Sequence, residues 1–486
     1  MLLTLILLLP FCTGVVALLL PWSQWTGRVM SISAFVVLAM GITLSVRTSS
    51  QVALTSLHGA LRADALSSFM VVVIGAVSLL AAMQTTRSMN HEIESGTTTT
   101  HARYYAVLFQ IFVTCMLAAV LAANLGVLWI AVEATTISTT FLVNHRRSEK
   151  SFEAAWKYVI LCSVGIALAF LGTVLVYFAA LHAGGHANSV ATLDWTSLMR
   201  IAPRLDPGVL RLALALLVLG YGTKVGLAPM HSWLPDAHSQ APAPISALMS
   251  GVLLTVAFYA LLRFKAIADI ALGVNFPRYL FIVVGLASLL IASTMLIAQR
   301  DYKRMLAYSS VEHMGLLALG AAAGSPLAIA AVLLHILGHG ITKSVLFLAS
   351  GEIHHSEDTT SIAKVSALIA RKPLLGGAFA IAVLALLGFP PFSLFVSELN
   401  MARAELNAGL WWVVLISLGC LGVIFASMAT HVRAMLLGPS ETRASDDVPR
   451  SFVAPLTGAL VMCAIIGVSS WPLLSLLHNA ARVLVR

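Results

Sequence analysis

Long apolar runs separated by short polar segments recur along the chain from Leu2 to Leu477. A helix that crosses a bilayer needs about 20 mostly apolar residues, and runs of this length occur about fourteen times. The pattern predicts an all-α, polytopic transmembrane bundle, with residues 1–486 forming a single transmembrane domain. The predicted spans are residues 2–20, 29–46, 65–83, 103–123, 125–143, 158–181, 208–230, 244–264, 278–298, 303–323, 327–350, 374–399, 410–437 and 452–477.

Composition agrees with the pattern, because 59% of residues are hydrophobic and only 10% are charged. A soluble domain is usually about one quarter charged, so we expect the lipid bilayer to be the main surroundings of the chain. Residues 2–20 resemble the apolar part of a signal peptide but lack a basic segment before it, and we expect them to remain as a helix.

The net charge of +9 does not point to nucleic acid, because Lys and Arg lie in the connections between spans and form no single basic surface. Connections on one side carry 16 of the 29 cationic residues and those on the other side carry 11, with Lys224 and Lys343 inside spans. The excess of cations marks the cytoplasmic side. We therefore expect both termini outside the cytoplasm in a cell inner membrane.

Cysteine usage argues against a redox centre in this chain. The five cysteines all lie in apolar segments and form no closely spaced pair: Cys12, Cys115, Cys162, Cys420 and Cys463. Iron–sulfur ligation needs grouped thiolates, so no cofactor is expected. The string HSWLPDAH places His231, Asp236 and His238 near a span end, where a metal site is one interpretation and a hydrogen-bonded turn is the favoured one.

Ionisable residues inside predicted spans are the main functional signal, since each costs about 3 kcal/mol on insertion scales. They are Glu133, Lys224, Glu312, His313, His335, His339, Lys343 and Glu398. His335, His339 and Lys343 are spaced by four residues, so they share one helix face over roughly 12 Å. Histidine titrates near neutral pH. This ladder predicts a proton relay, although hydrogen bonding between helices is the alternative for any one member.

Helix-breaking residues lie beside two of these groups. Glycines surround Lys224, with Pro229 and Pro235 after it, and Glu398 follows Gly388, Pro390 and Pro391. We expect both helices to be interrupted inside the membrane, which is tolerated where the freed backbone meets protein or a water-filled cavity. Glu133 and Lys224 are interpreted either as a static ion pair or as a pair that opens during transport.

The spacing of these residues suggests an internal repeat. Lys224 and Glu398 are 174 residues apart, and Glu133 and Glu312 are 179 apart. Two five-helix units, residues 103–264 and 278–437, would carry them at matching places. An odd number of spans makes two such units inverted in the bilayer.

At these residues the chain resembles a known family. The string GYGTKVGLAPMHSWLPDAHSQAPAPISALMSGVLL, together with WIAVEATT, DYKRMLAYSSVEHMG, HILGHGITKSVLFLASGEI and GFPPFSLFVSE, closely resembles the proton-pumping, antiporter-like membrane subunits of respiratory complex I and group 4 hydrogenases. AYSSVEHMG and the compact length are most similar to the F subunit of hydrogenase 4.

The resemblance implies a fourteen-helix core with two inverted five-helix repeats and broken seventh and twelfth helices. It also implies a switchable pair of Glu133 and Lys224, a central relay of His335, His339 and Lys343, and Glu398 as the terminal ionisable residue. One departure is Thr255, which stands where many relatives have lysine or histidine in the eighth helix. Bridging waters, His231 or His335 would have to fill this gap.

The resulting expectation is a proton-translocating subunit of a respiratory or hydrogenase complex, with other membrane subunits as partners and no redox centre of its own. Two alternatives remain at this stage. One is a cation/proton antiporter component of the Mrp kind, and the other is a non-pumping membrane anchor for a hydrogenase or an inorganic-carbon uptake module.

Overall fold

The computed structural model describes residues 1–49, 52–184, 190–438 and 448–485. Helices dominate it, with one short antiparallel hairpin near the N-terminus. The elements of the first part are α1 (Leu2–Leu19), α2 (Gln24–Thr48), β1 (Leu54–Ser56), β2 (Leu61–Ala63), α3 (Ala65–Glu94), α4 (Thr99–Leu121), α5 (Leu125–Val143), α6 (Glu149–His182), α7 (Trp195–Ile201) and α8 (Pro207–Val225).

The second part continues the bundle. Its helices are α9 (Trp233–Gln240), α10 (Ala243–Leu248), α11 (Leu254–Leu272), α12 (Asn275–Ile297), α13 (Tyr302–Ala323), α14 (Pro326–Glu357), α15 (Leu368–Arg371), α16 (Pro373–Leu386), α17 (Ser393–Asn407), α18 (Trp411–Leu436), α19 (Arg450–Val468) and α20 (Trp471–Leu484). A π-helical turn, Met249–Leu253, joins α10 to α11 and makes them one continuous span.

Twelve helices in the described ranges are long and apolar enough to cross a membrane. α13 has 22 residues but carries buried polar side chains, which lower its hydropathy. α16 and α17 have 14 and 15 residues, so only the two together reach across a bilayer. These elements complete the predicted set of about fourteen crossings, and the all-α transmembrane fold is confirmed.

The last predicted span, residues 452–477, is wrong at its end. α19 stops at Val468, the backbone is extended at Ser469, and α20 begins at Trp471. α20 is amphipathic: Leu476, Leu477, Ala480, Ala481 and Leu484 are buried along one face. Such a helix lies along the membrane surface, and here it packs on α3 and α14.

Successive crossings alternate in direction, so the connections fall on two faces. The terminal face carries Met1, the segment 52–64, the connection 190–206 and α20. The opposite face carries the connections 95–98, 144–148 and 358–372. Both chain ends therefore lie on one side of the bundle.

Two helices are interrupted inside the bundle, as predicted. α8 ends at Val225 because Gly226 adopts a left-handed conformation, with φ at +84°. The positive φ favours glycine, and a Cβ there would lie 2.3 Å from Leu234 Cδ1, so another residue would also have to displace the end of that side chain. α16 ends at Leu386, and α17 begins again at Ser393.

α14 forms the centre of the bundle. It packs on α13, α16, α17, α19, α3 and α20, and its apolar core is completely buried. The π-helical turn also reaches it, since a Cβ on Gly251 would lie 2.9 Å from the Gly340 carbonyl oxygen. Close approach of these two glycines brings the π-helical turn against the middle of α14.

Candidate functional site

Lys224 lies in the last turn of α8, directly before the helix interruption, and is 1% exposed. Its ammonium donates hydrogen bonds to Tyr158 Oη at 2.6 Å and to Thr136 Oγ1 at 2.9 Å. Tyr158 Oη is also 2.6 Å from Thr139 Oγ1. α5, α6 and α8 thus provide a polar cradle for one buried cation, without a direct carboxylate partner.

Glu133 is half-buried on α5, and it reaches Lys224 indirectly. Thr136 donates a hydrogen bond to Glu133 Oε2 at 3.1 Å while accepting one from the lysine. The two charged groups, both described, make no ion pair within 4 Å. The structure therefore places the predicted pair together, but with the Thr136 hydroxyl between its members.

The ladder on α14 is fully buried: His335, His339 and Lys343 are each 0% exposed. His335 Nε2 lies 2.9 Å from Nδ1 of His313 on α13. The ring centroids of His313 and His339 are 5.0 Å apart, and the rings of His335 and His339 stack at 6.4 Å. Three imidazoles from two helices therefore form one continuous cluster.

Lys343 continues this cluster toward the opposite face. Its ammonium donates to the Leu306 carbonyl oxygen at 2.6 Å and to the Ser309 hydroxyl. Glu312 lies one turn along α13 from Ser309 and is 5% exposed. The lysine thus faces a strip of α13 that carries a hydroxyl and then a carboxyl group.

Glu398 extends the cluster toward the terminal face. One ligand-type atom from each of His313, His335 and Glu398 falls within 4.8 Å of the others. Ser397, the residue before Glu398, lies 2.9 Å from His335 Nδ1. The carboxylate occupies space above Gly388, where a Cβ would be 2.5 Å from Oε2.

The same two imidazoles and carboxylate have the composition of a transition-metal site. They also suit proton transfer without a metal, because the imidazoles already lie at hydrogen-bonding distance from each other. The HSWLPDAH string does not converge in this way. Its Asp236 instead contacts Lys157 and Arg304, both at 3.1 Å, and so ties α9 to α6 and α13.

Glu405 is a buried carboxylic acid that the sequence interpretation missed. It lies seven residues after Glu398 on α17 and is 5% exposed. A seven-residue step returns to nearly the same helix face, about 10 Å farther along the axis. The two carboxyl groups therefore follow one buried stripe toward the terminal face.

Thr255 and the residues proposed to compensate for it lie in different surroundings. Thr255 is buried and donates to the Val252 carbonyl oxygen at 2.9 Å. His231, one proposed substitute, is partly exposed near Pro229. His238 is 0% exposed, and within the described ranges no protein group meets hydrogen-bond geometry at either ring nitrogen, although the Leu234 backbone lies close to the ring.

His238 lies between the two parts of the site. Its ring centroid is 6.1 Å from that of Trp233, which packs 4.9 Å from Tyr158 beside Lys224. On the other side it is 5.6 Å from Phe347 of α14. Buried imidazole nitrogens without protein partners are normally satisfied by water, so this position suits a hydrated bridge.

A cleft of about 500 Å³ opens at the opposite face between α3, α4, the connection 144–148 and α14. Titratable side chains line it, among them Glu92, His101, His145, Glu352 and His354. His145 Nε2 lies 2.7 Å from Glu92, and Arg87 pairs with Glu352 at 2.7 Å. The cleft gives water and protons a polar approach to the end of α14.

Residues 122–424 match the family described as NADH:quinone oxidoreductase/Mrp antiporter, TM. The chain is 37% identical over 407 residues to the hydrogenase-4 component F homolog of Methylacidiphilum infernorum (isolate V4), covering 83% of this chain and 84% of the relative. It is 29% identical over 450 residues to hydrogenase-4 component B of Escherichia coli (strain K12), covering 86% and 64%.

Solved structures share the fold. A chain of the archaeal membrane-bound sulfane sulfur reductase superposes with a TM-score of 0.87 at 24% identity, over all of this chain and 98% of the other. A chain of the Mrp complex from Dietzia sp. DQ12-45-1b gives a TM-score of 0.83 at 21% identity, with the same coverage. At these sequence identities, the similarity shows only that the fold is shared.

Proposed function

Because the chain belongs to the NADH:quinone oxidoreductase/Mrp antiporter transmembrane family, we propose that it moves protons across the cell inner membrane as a subunit of a redox complex. The observation that carries this proposal is the series of ionisable groups from the buried Lys224 through the buried histidines to the partly buried Glu398. A membrane bundle excludes charged groups unless they serve a purpose. Here they follow one another across the middle of the fold.

We propose that protons are taken up from the cleft at the opposite face and reach the two buried lysines. Lys224 exchanges its proton under the control of Glu133, with Thr136 transmitting the change between them. A positive charge on Lys224 is favoured while Glu133 is ionised and close. Displacing or neutralising Glu133 would favour release of the proton toward His238 and α14.

Transfer then proceeds along the imidazole cluster. His339, His313 and His335 lie close enough for hydrogen-bonded hops, either direct or through one water. Glu398 receives the proton, and Glu405 passes it to the terminal face. The direction of net transport is set by whichever side of the lysine step is open to water.

The excess of cations on the opposite face supports an orientation with that face in the cytoplasm and both termini outside it. The interruptions at Gly226 and Gly388 support a relation between the proposed repeats, residues 103–264 and 278–437. In both units a helix stops at mid-depth beside a member of the relay. We therefore treat the two units as two successive gates of one pathway.

Partner subunits supply the driving change in this proposal, which expects the redox chemistry to take place outside this chain. Glu133 is half-exposed on the outer surface of α5, where a neighbouring membrane subunit would contact it. A charge movement in that neighbour would act on the pair with Lys224. Relatives named as hydrogenase-4 components support a hydrogenase-type complex as the setting.

The test is redox-driven proton movement by the intact complex in sealed vesicles. Lys224→Ala should reduce proton movement at least about tenfold per turnover, which corresponds to about 1.4 kcal/mol, while subunit content stays unchanged. Lys364→Ala is the matched control, because Lys364 is exposed on the opposite face. Wild-type pumping by Lys224→Ala would reject the role of Lys224, and turnover-linked sodium movement without protons would favour an antiporter.

A further inference from the structure

A second polar cleft, of about 510 Å³, opens on the terminal face, away from the proposed proton route. The β2 strand, the start of α3, helix α7 and helix α20 enclose it. Its polar lining includes Arg62, Arg200, Arg482, Asn479 and Thr196. The volume lies within the usual range for small-molecule sites, about 300–1,000 Å³.

The charge of this cleft is positive. Asp64 is the acidic residue among its lining residues, and Arg263 neutralises it with two hydrogen bonds of 2.8 Å. Within the described ranges, Arg62, Arg200 and Arg482 have no carboxylate within 4 Å. The Nε–H of Arg62 is buried and has no hydrogen-bond partner. Three guanidinium groups thus surround one space, and its acidic lining residue, Asp64, is already paired with Arg263 and also lies near Arg62.

The cleft lies where the hydrocarbon layer ends. α2 finishes and α3 begins beside it, and Asn479 of α20 donates a hydrogen bond to the Ser49 carbonyl oxygen at the end of α2. α20 buries its apolar face against the bundle and exposes Trp471 at 78%. Tryptophan and amphipathic helices concentrate at the headgroup level of a bilayer.

We propose that this cleft binds the phosphodiester headgroup of an anionic phospholipid through Arg62, Arg200 and Arg482. Guanidinium groups match phosphate oxygens with paired hydrogen bonds, and arginine is preferred for such recognition. The volume of the cleft, about 510 Å³, leaves room for a phosphate group. Basic pockets between membrane helices are known hosts for acidic headgroups.

The test uses the purified, delipidated complex in detergent and measures its thermal unfolding. Phosphatidylglycerol, added against phosphatidylcholine, should raise the melting temperature of the wild type. The triple variant Arg62→Gln, Arg200→Gln, Arg482→Gln should lose most of this rise. The control Arg204→Gln, Arg211→Gln should keep it, because both residues are exposed nearby but do not line the cleft.

The other outcomes are decisive as well. An equal rise in all three proteins would mean general lipid replacement and would overturn the proposal. If inorganic phosphate alone reproduced the rise, the site would recognise free phosphate, and the lipid assignment would be wrong. Loss of a partner subunit with unchanged lipid binding would make the cleft a protein interface. If the triple variant fails to assemble, the single variant Arg482→Gln, at an exposed position of α20, provides the same comparison.

Discussion

The Thr136 hydroxyl joins the two charged groups that are proposed to control proton release, so its removal is the sharpest available test. Thr136→Val keeps the shape of the side chain but deletes the bond from Lys224 at 2.9 Å and the bond to Glu133 at 3.1 Å. Lys224 retains Tyr158 as an acceptor at 2.6 Å. We therefore expect the complex to assemble while communication between the pair is lost.

The size of the effect follows from the bond that is removed. A hydrogen bond to a charged group contributes about 1.5–3 kcal/mol, and each 1.4 kcal/mol of barrier changes a rate about tenfold. Because this bond stabilises the protonated form of Lys224, its loss disfavours proton loading of the lysine, and the rate of turnover-linked proton movement should fall roughly 10–100-fold. Redox turnover with the gradient collapsed should fall less, since no redox centre is touched.

The assay compares proton uptake per electron in vesicles containing wild-type and variant complexes. Thr140→Val is the matched control, because the Thr140 hydroxyl bonds only to the Thr136 carbonyl oxygen within α5, at 2.7 Å. It should pump within about twofold of wild type. Equal proton yields from Thr136→Val and wild type would refute the idea that the hydroxyl couples Glu133 to Lys224.

Three further predictions concern other parts of the site. Glu405→Gln should slow proton release at the terminal face severalfold, as measured by stopped-flow pH changes. Glu405→Asp should recover part of the rate. Equal rates for the two variants would show that the Glu405 carboxylate does not carry the proton. Added Zn²⁺ should inhibit pumping by bridging His313 and His335, whose facing ring nitrogens are 2.9 Å apart, because Zn²⁺ binds imidazole nitrogen at about 2.0–2.1 Å. His313→Gln should weaken this inhibition. If the variant and the wild type gave the same inhibition curve, zinc would act at another site. Gly226→Ala should lower the melting temperature more than Gly273→Ala. Both glycines have positive φ, but of the two only Gly226 has a neighbour that an added Cβ would contact. Similar decreases would show that the neighbouring side chain can move aside.

The sequence predicted the parts of the site that carry charge. Lys224, His335, His339 and Lys343 stand out in apolar runs because a charged group in hydrocarbon is costly, and all four are buried at the centre of the fold. Their helix spacing fixed the common face of the α14 ladder. The predicted break after Lys224 likewise follows from local glycine and proline chemistry.

The sequence did not reveal the neutral hydroxyl groups of the site or the site residues that lie between the predicted spans, because neither stands out as a charged residue does in an apolar run. Thr136 and Tyr158 add little polarity to an apolar stretch, so only the packing of α5, α6 and α8 reveals that they bind Lys224. His238 was interpreted as part of a hydrogen-bonded turn because HSWLPDAH lies near a span end. Glu405 fell outside the predicted run 374–399, although α17 extends to Asn407 and neighbouring helices cover it.

The spacing of four residues along the α14 ladder determines how strongly a membrane potential acts on a proton moving along it. A potential of 100 mV changes the energy of one proton by about 2.3 kcal/mol over the whole membrane. His335 to Lys343 covers about 12 Å of a hydrocarbon layer about 30 Å thick, so a proton travelling along it meets about 0.9 kcal/mol of that potential. This is less than the strength of one charge-assisted hydrogen bond. Because 0.9 kcal/mol is about 1.5 times RT, such a potential changes the ratio of occupancies at the two ends of the ladder about fivefold, and the remaining electrical work, about 1.4 kcal/mol, is done in the steps that lead to and from its ends.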